Sequence, residues 1–271
     1  TDLKSLLDEN CHIWDGDCYI NYLKKYKEVD DNDKPYTKEE FIEKIKKDDN
    51  FSKKWGEMVS IYGKSWRNWN GIDQIKNLIN DIKNNPDSRR LMVNAWNVSE
   101  INSCILPPCH FNFQCYTELI NPMVRYAKFN KYVIENGLDV TGMSTDMAME
   151  HYNFPTRKLS MKVDCRSTDL PLGMPFNISS YALLLEIICL MVNMYPNELI
   201  CSLGDVHIYL NQIDSIKEQL NRIPYNLPKL KISNHLKKIA NIDEFLEKCN
   251  INDFKLVDYK CHPSIKILLS N

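Results

Sequence analysis

The residue with the clearest chemical potential is Cys109, which follows two prolines and precedes an alternating segment at 110–114. Proline fixes φ and removes a backbone donor, so Pro107 and Pro108 should hold the next residue in a loop of defined direction. A thiol needs no dedicated base to act as a nucleophile, provided that nearby cations lower its pKa. The sequence therefore predicts that the loop presents Cys109 to a substrate, and the question is where the cations could come from.

Two arginine-bearing segments could supply those cations. In the first, an Asp-Ser pair leads into Arg89 and Arg90, ahead of an apolar strand-like stretch. In the second, Arg166 opens a loop that also holds two hydroxyls, a carboxylate and an amide, and that contains two prolines and a glycine. Arginine binds phosphate through two parallel hydrogen bonds. The two segments indicate a phosphorylated substrate delivered to a thiolate, and phosphate alone does not identify it.

Six motifs in the chain resemble the thymidylate synthase family, in that family's order. They are LPPCH at 106–110 with Gln114, DSRR at 87–90, AWN at 95–97, RS at 166–167 with Asp169, PFNISSYALL at 175–184, and GDVHIY at 204–209. The resemblance covers most of the chain outside two insertions. It implies reductive methylation of dUMP by 5,10-methylenetetrahydrofolate, or a close variant of that chemistry.

The resemblance implies a covalent mechanism. Cys109 would add to C6 of the pyrimidine, and Arg166 would bind the phosphate and help to keep the thiol ionised. Asn177 would pair with N3 and O4 of the ring, which indicates uracil because an aspartate would suit cytosine. Tyr62 is implied to assist proton removal from C5, and His110 to order water near O4.

The same resemblance assigns the binding residues. The dUMP set is Arg89, Arg90, Gln114, Arg166, Ser167, Thr168, Asp169, Asn177, His207 and Tyr209. The folate set is Trp14, Asp169, Leu172, Gly173 and Phe176, with Asp169 also contacting the proton relays of the pterin. No metal is expected, since the spacing of Cys104, Cys109, His110 and Cys115 is not that of a zinc site.

The implied fold is a mixed twisted β-sheet flanked by helices, with two subunits packed sheet to sheet. Arg89 and Arg90 would reach into the neighbouring subunit, which makes the homodimer obligatory. Taken alone, strand-like segments near 91, 111, 161 and 200 separated by helical ones indicate only an α/β or α+β class.

Two departures from the family bear on the product. Gly16 and Asp17 stand where the family continues to a second tryptophan, and the tail at 267–271 lacks the usual small apolar ending. Trp14, which would shield the reacting methylene, favours the synthase. If water entered instead, the product would be 5-hydroxymethyl-dUMP, as in phage deoxyuridylate hydroxymethylases. A third hypothesis is a catalytically silent homologue that binds nucleotide or RNA.

In the family, a leading segment supplies a phosphate-binding arginine and a catalytic glutamate. This sequence has no counterpart of that segment before Trp14, so we expect that it is part of a longer chain. We predict one catalytic domain over 1–271, with insertions at about 18–55 (a small helical subdomain) and 117–158 (an expanded hairpin). Thr37 and Glu40 fit a capping box before an apolar stripe. Helices are predicted at 72–84, at 122–136 and from Asn177 onward, and a strand at 198–209. The helix at 72–84 should have one apolar face, formed by Ile72, Ile75, Leu78, Ile79 and Ile82, and the methionine-rich stretch at 143–149 should serve packing.

Composition agrees with such an enzyme but does not identify it. The chain has 271 residues, 44% hydrophobic and 26% charged, with a net charge of −2 that argues against a nucleic-acid-coating surface. Ten scattered cysteines fit a reduced protein, and we predict a cytoplasmic location, or the host cytoplasm if the source is viral. The apolar run at 181–194 is too short to span a bilayer and indicates a buried helix.

Overall fold

The computed structural model describes residues 2–29, 34–58, 61–104 and 106–268. Ile105 of the nucleophile loop, residues 30–33 of the first insertion and residues 269–271 of the tail lie outside this part. The chain forms two compact units, one of Thr1–Asn77 with Val93–Asn112 and one of Leu78–Met92 with Phe113–Asn271. The predicted single domain with two insertions stays a prediction.

The first unit is built mainly of helices. They are α1 (Leu3–Asp8), α2 (Asp15–Val29), α3 (Lys38–Lys47), α4 (Asp49–Trp55) and α5 (Tyr62–Arg67). The capping box is confirmed, because Thr37 Oγ1 accepts the Glu40 N–H and the Glu40 carboxylate accepts the Thr37 N–H. Phe41 and Ile45 are fully buried in a core that α1 and α2 share. The first insertion thus contributes core residues as well as a charged surface.

Helix α6 (Gln74–Asn84) begins two residues later than predicted. The Asp73 carboxylate accepts the Lys76 N–H at 2.9 Å, which is the contact of an N-cap residue. Ile72 therefore precedes the helix, is 53% exposed and bridges to Trp69, so its assignment to the buried face is wrong. The other apolar residues of the predicted face are buried, namely Ile75, Leu78, Ile79 and Ile82.

The strands form one larger sheet and two small ones. They are β1 (Met92–Asn94), β2 (His110–Leu119), β3 (Arg157–Cys165), β4 (Thr168–Asp169), β5 (Tyr195–Leu203), β6 (Val206–His207), β7 (Lys229–Ile232) and β8 (Phe254–Val257). The larger sheet has the order β1-β2-β3-β5, with β3 and β5 parallel. Strand β4 pairs in parallel with β6, and β7 pairs antiparallel with β8. Helices and a sheet with both parallel and sequentially distant strands occur together in the chain, which confirms the predicted mixed α/β class.

The second insertion contains α7 (Pro122–Asn136), whose bounds match the prediction. A proline occupies its first turn, and Gly137 ends it with φ of 58°. Helix α8 (Thr145–His151) follows, and Phe129, Ala148, Met149 and Phe154 form a buried cluster. Met149 packs as expected of the methionine-rich stretch, whereas Met147 is 60% exposed.

Helix α9 (Gly173–Val192) begins four residues before the predicted start at Asn177. Pro175 fits the first turn because a backbone N–H there has no intrahelical partner. One face packs against β3 and β5 and buries Tyr181, Leu185 and Ile188. Among the described residues, α9 is the helix long and apolar enough to cross a membrane by length and composition. At 20 residues, α9 is longer than the apolar run at 181–194, from which the sequence predicts a helix too short to span a bilayer.

The predicted strand at 198–209 is two strands. Strand β5 ends at Leu203, a Gly204-Asp205 turn intervenes, and β6 ends at His207. Tyr209 lies beyond β6, before the short 3₁₀ turn Leu210–Gln212 that leads into α10 (Ile213–Leu220). Helix α11 (Ile242–Lys248) precedes β8. This turn between β5 and β6 allows β6 to pair with β4.

Candidate active site

The predicted nucleophile loop is anchored by an aromatic side chain. The backbone N–H of Cys109 donates to Oη of Tyr62 at 2.9 Å, and Cys109 is half-buried immediately before β2. Tyr62 is the first residue of α5. The structure therefore brings together the predicted nucleophile and the predicted helper in C5 proton removal.

Three aromatic rings pack together beside this loop. The Tyr62 ring stacks on His110 with a centroid distance of 3.9 Å and an interplanar angle of 19°. Trp14 contacts the Tyr62 ring edge-on, with a centroid distance of 5.8 Å. The predicted residues Trp14, Tyr62, Cys109 and His110 thus lie in one continuous cluster. Such a cluster can present a thiol next to a flat apolar wall.

His110 is held in its neutral form. Burial lowers the pKa of its imidazole to about 4, because a charged ring would lose its hydration there. At neutral pH the ring therefore has one donor and one acceptor nitrogen. A ring with one donor and one acceptor nitrogen can both donate to water and accept from it, as expected of a residue that orders water.

Asp17 is a second support of the nucleophile loop. The side chain is 3% exposed, and Oδ1 accepts the backbone N–H of Leu106 at 3.3 Å. Leu106 stands three residues before Cys109, and Asp17 lies in the first turn of α2. Sequence reasoning treated Asp17 only as the loss of a tryptophan, since a contact across 89 residues leaves no local signal.

Several other thiols are poorly suited to nucleophilic attack. Burial raises the pKa of Cys18 and of Cys115 to about 12, and the charges of Asp17 and Asp15 add to the effect at Cys18. Burial also raises the pKa of Cys189. Because the thiolate is the nucleophile, these cysteines stay inert at neutral pH.

In the second unit, β4 and β6 bring a predicted folate residue beside a predicted sugar residue. Asp169 pairs with His207, and the Leu170 N–H donates to the His207 carbonyl at 3.1 Å. Nδ1 of His207 lies 2.8 Å from the Asp205 carbonyl oxygen, which can only accept, so Nδ1 carries a hydrogen and donates it there. The Tyr209 ring is 5.0 Å from that of His207.

Gly204 permits a close approach of the chain to the Arg166 backbone. A Cβ at Gly204 would lie 2.8 Å from the Arg166 carbonyl oxygen and 3.0 Å from that of Cys165. The Gly204 N–H donates to the Cys165 carbonyl at 2.7 Å. The Arg166 side chain is exposed, Ser167 is half-buried, and Thr168 is only 2% exposed. Thr168 Oγ1 has no hydrogen-bond partner within the described ranges.

The start of α9 positions the remaining predicted residues of this unit. Asp169 Oδ1 accepts the Leu172 N–H at 3.0 Å, which fixes the loop just before the helix. Asn177 lies one helical turn after Gly173 and is half-buried, whereas Phe176 is 71% exposed. Leu172, Gly173 and Asn177 therefore follow Asp169 within a short, ordered stretch.

The turn that carries Arg89 and Arg90 is braced from behind. Asp87 forms an ion pair with Arg157, whose Nε donates to Thr117 Oγ1 at 3.0 Å. Gln114 Nε2 lies 3.5 Å from the Arg89 carbonyl. Both arginine side chains are exposed, and neither has an ion-pair partner in the part of the chain that the structure describes. Two cations are thus directed outward from a fixed turn.

Gln212 is a functional candidate that sequence reasoning missed altogether. The residue is 0% exposed and contacts both Asp169 and Tyr209. An isolated glutamine in a polar segment carries no sequence signal for such a role. Among the described residues, no three His, Cys, Asp or Glu side chains cluster as metal ligands, and the absence of a metal stays a prediction.

Comparison with known proteins gives a consistent answer. The family model described as Thymidylate synthase matches residues 1–270. A thymidylate synthase of Malacoplasma penetrans is 40% identical over 270 residues, which are 98% of this chain and 75% of that protein. One from Mycoplasma mobile is 38% identical over 266 residues, with the same two coverages of 98% and 75%. One from Mesoplasma florum is 37% identical over 265 residues, again 98% and 75%.

Proposed function

The chain belongs to the thymidylate synthase family, and on that premise we propose that it converts dUMP to dTMP with 5,10-methylenetetrahydrofolate. As a member it is a methyltransferase that uses a folate co-substrate. The observation that carries the proposal is the Cys109 N–H bond to Tyr62 beside the neutral His110. This arrangement supports an oriented thiol in a site that can also handle protons.

The proposed reaction begins with attack of the Cys109 thiolate on C6 of uracil. The addition makes C5 nucleophilic, and C5 attacks the one-carbon unit of the folate. Asn177 stabilises the developing charge on O4 and selects uracil, while His110 orders water near the same oxygen. Tyr62 then assists removal of the C5 proton, and loss of tetrahydrofolate leaves an exocyclic methylene.

Hydride transfer completes the proposed cycle. Tetrahydrofolate gives a hydride to the methylene carbon and becomes dihydrofolate, and Cys109 leaves as C5 and C6 regain their double bond. Trp14 and Phe176 would wall the folate, with Leu172 and Gly173 beside it and Asp169 at the pterin. This step requires that water be kept from the methylene.

Phosphate and sugar binding account for the other proposed contacts. Arg166, Ser167 and Thr168 would hold the phosphate with Gln114, and His207 Nε2 would accept from the 3′-hydroxyl, with Tyr209 beside it. We further propose a homodimer in which Arg89 and Arg90 bind the phosphate of the neighbouring subunit. Their outward direction from a braced turn supports this assignment. A cytoplasmic location belongs to the same proposal.

The two alternatives are not favoured. The relatives described above are all named thymidylate synthase, and neither a hydroxymethylase nor a silent nucleotide-binding or RNA-binding homologue stands among them. The chemistry of Cys109 and Asn177 also argues against a silent role.

The test is product analysis with dUMP and 5,10-methylenetetrahydrofolate. Dihydrofolate absorbance is followed while the nucleotide is identified by mass, and the Cys109→Ser variant serves as the control. We expect equal amounts of dTMP and dihydrofolate, and neither from the control. Hydroxymethyl-dUMP without dihydrofolate would establish the hydroxymethylase, and no product together with no 5-fluoro-dUMP adduct would establish the silent homologue.

A further inference from the structure

Both ends of the Gln212 carboxamide are hydrogen-bonded within the protein. Its Oε1 accepts the Tyr209 N–H at 3.1 Å. Its Nε2 donates to Asp169 Oδ2 at 3.3 Å and to the Leu268 carbonyl at 3.1 Å. A primary amide has two donor hydrogens and an acceptor oxygen. Each of the two contacts of Nε2 can therefore use a separate hydrogen, and the third contact uses Oε1. The residue is 0% exposed, which makes these bonds strong and their loss costly.

These three partners come from separate parts of the chain. Asp169 belongs to the loop before α9, Tyr209 follows β6, and Leu268 stands near the end of the chain. Gln212 thus joins a proposed pterin contact and a proposed nucleoside contact to the C-terminal segment. No other natural side chain combines two donors and one acceptor in a neutral planar group at this reach.

The C-terminal segment has further attachments on the same side. Ser215 Oγ donates to the Lys266 carbonyl at 3.2 Å, and Arg222 Nη1 donates to the Pro263 carbonyl at 2.6 Å. These bonds hold the segment along α10 without touching Asp169. Gln212 contacts both this segment, at the Leu268 carbonyl, and Asp169. It therefore sets how closely the segment lies to the proposed folate site.

We propose that Gln212 is a positioning residue that seals the folate site and so determines the product, an inference that rests on the proposed function. The exocyclic methylene has two fates. With water excluded, it receives a hydride and yields dTMP and dihydrofolate. With water present, the water oxygen bonds to the methylene carbon and one water proton goes to solvent. The electron pair returned to C5 re-forms the C5–C6 double bond and expels the Cys109 thiolate, and tetrahydrofolate is released unoxidised. A looser segment favours the second fate.

The test uses two variants of Gln212. Gln212→Glu keeps the acceptor for Tyr209 and replaces both donors with an anionic oxygen beside Asp169. Gln212→Met keeps the length without any of the three bonds, and it carries the test if the glutamate variant does not fold. Ser215→Ala is the matched control, because it removes a bond to the segment that does not involve Asp169.

We expect either Gln212 variant to raise KM for methylenetetrahydrofolate about tenfold, the effect of losing one or two buried hydrogen bonds. Hydroxymethyl-dUMP should become a measurable fraction of the nucleotide product, while the covalent adduct with 5-fluoro-dUMP still forms. Ser215→Ala should give dTMP alone. A purely structural role would lower thermal stability without changing the ratio of the two products.

Two outcomes overturn different statements. If both Gln212 variants fold and make only dTMP with an unchanged KM, the role of Gln212 is wrong and the proposed function stands. If the unaltered protein gives neither product nor adduct, the proposed function fails first. Removal of residues 268–271 provides a second check, because Gln212→Met should then have no additional effect on the product ratio.

Discussion

The hydroxyl of Tyr62 accepts the backbone N–H of Cys109 at 2.9 Å. The proposed nucleophile and the proposed helper in proton removal are thus joined through the main chain of one and the side chain of the other. Because Oη is the acceptor in this bond, its own hydrogen is directed to a different partner. Tyr62 also has φ of 24°, a region that bulky residues rarely adopt, so the arrangement holds backbone strain at the site.

The first prediction concerns the hydroxyl of Tyr62. Tyr62→Phe keeps the ring that stacks on His110 but removes the acceptor for the Cys109 N–H. We expect kcat to fall about a hundredfold, as for loss of a proton-transfer group, while the 5-fluoro-dUMP adduct still forms. Release of tritium from C5-labelled dUMP measures the affected step directly. A kcat within threefold of the unaltered protein would contradict the role.

The second prediction concerns pH and His110. Its pKa is about 4 in the folded chain, against about 6.5 when unfolded. Between these values the unfolded state binds more protons, so stability is lost as pH falls from about 6.5 towards 4. The loss attributable to His110 reaches at most about 3 kcal/mol. Urea unfolding at pH 7.5 and pH 4.5 measures it, and His110→Gln should show a smaller loss. Equal losses in both proteins would exclude His110 as the cause.

The third prediction concerns the backbone beside Arg166. Gly204→Ala would place a methyl group 2.8 Å from the Arg166 carbonyl oxygen, so the chain there must move. We expect KM for dUMP to rise about tenfold and stability to fall by about 1–3 kcal/mol.

Gly142→Ala is the control for this effect. Gly142 has φ of 78° and nothing within 4 Å of a built Cβ, so alanine there costs backbone strain alone. Its melting temperature should fall while KM for dUMP stays unchanged. If both variants changed KM equally, the Gly204 effect would be one of general destabilisation.

The fourth prediction separates geometry from charge at Asp17. Asp17→Asn retains an oxygen that can accept the Leu106 N–H, whereas Asp17→Ala leaves that part-buried donor without this acceptor. We expect the alanine variant to form the 5-fluoro-dUMP adduct about tenfold more slowly. The asparagine variant should react at nearly the normal rate. Equal rates for alanine and the unaltered protein would show that the loop needs no such support.

Local signals were sufficient for several elements of the fold. The capping box at Thr37 and Glu40 and the helix Pro122–Asn136 are determined by residues a few positions apart. The sequence predicts both residues of the box and both bounds of this helix. The start of α6 was misplaced because periodicity alone cannot show that Asp73 caps the helix. The predicted start of α9 at Asn177 is four residues late, because a proline such as Pro175 is accepted in the first turn of a helix.

The same difference between local and long-range signals applies to the candidate site. Motif order was enough to name Cys109, Tyr62 and His110, which the structure then places in one cluster. Asp17 and Gln212 could not be predicted, because their partners are distant in sequence. The contact of Asp17 with Leu106 spans 89 residues, and that of Gln212 with Leu268 spans 56. A buried polar side chain that binds distant backbone leaves no pattern near itself. Only the three-dimensional arrangement reveals such residues.

The last prediction tests whether Arg89 and Arg90 act on the neighbouring subunit. The double variant R89E/R90E would lack phosphate contacts for its partner, and Cys109→Ser would lack the nucleophile, so each alone should be inactive. In a mixed dimer purified through two different tags, the Cys109→Ser subunit supplies both arginines to the other subunit's intact Cys109. One complete site of two then gives about half of the normal activity, as an interface with two equivalent sites requires. If the arginines served their own subunit instead, neither site would be complete and the mixed dimer would stay inactive.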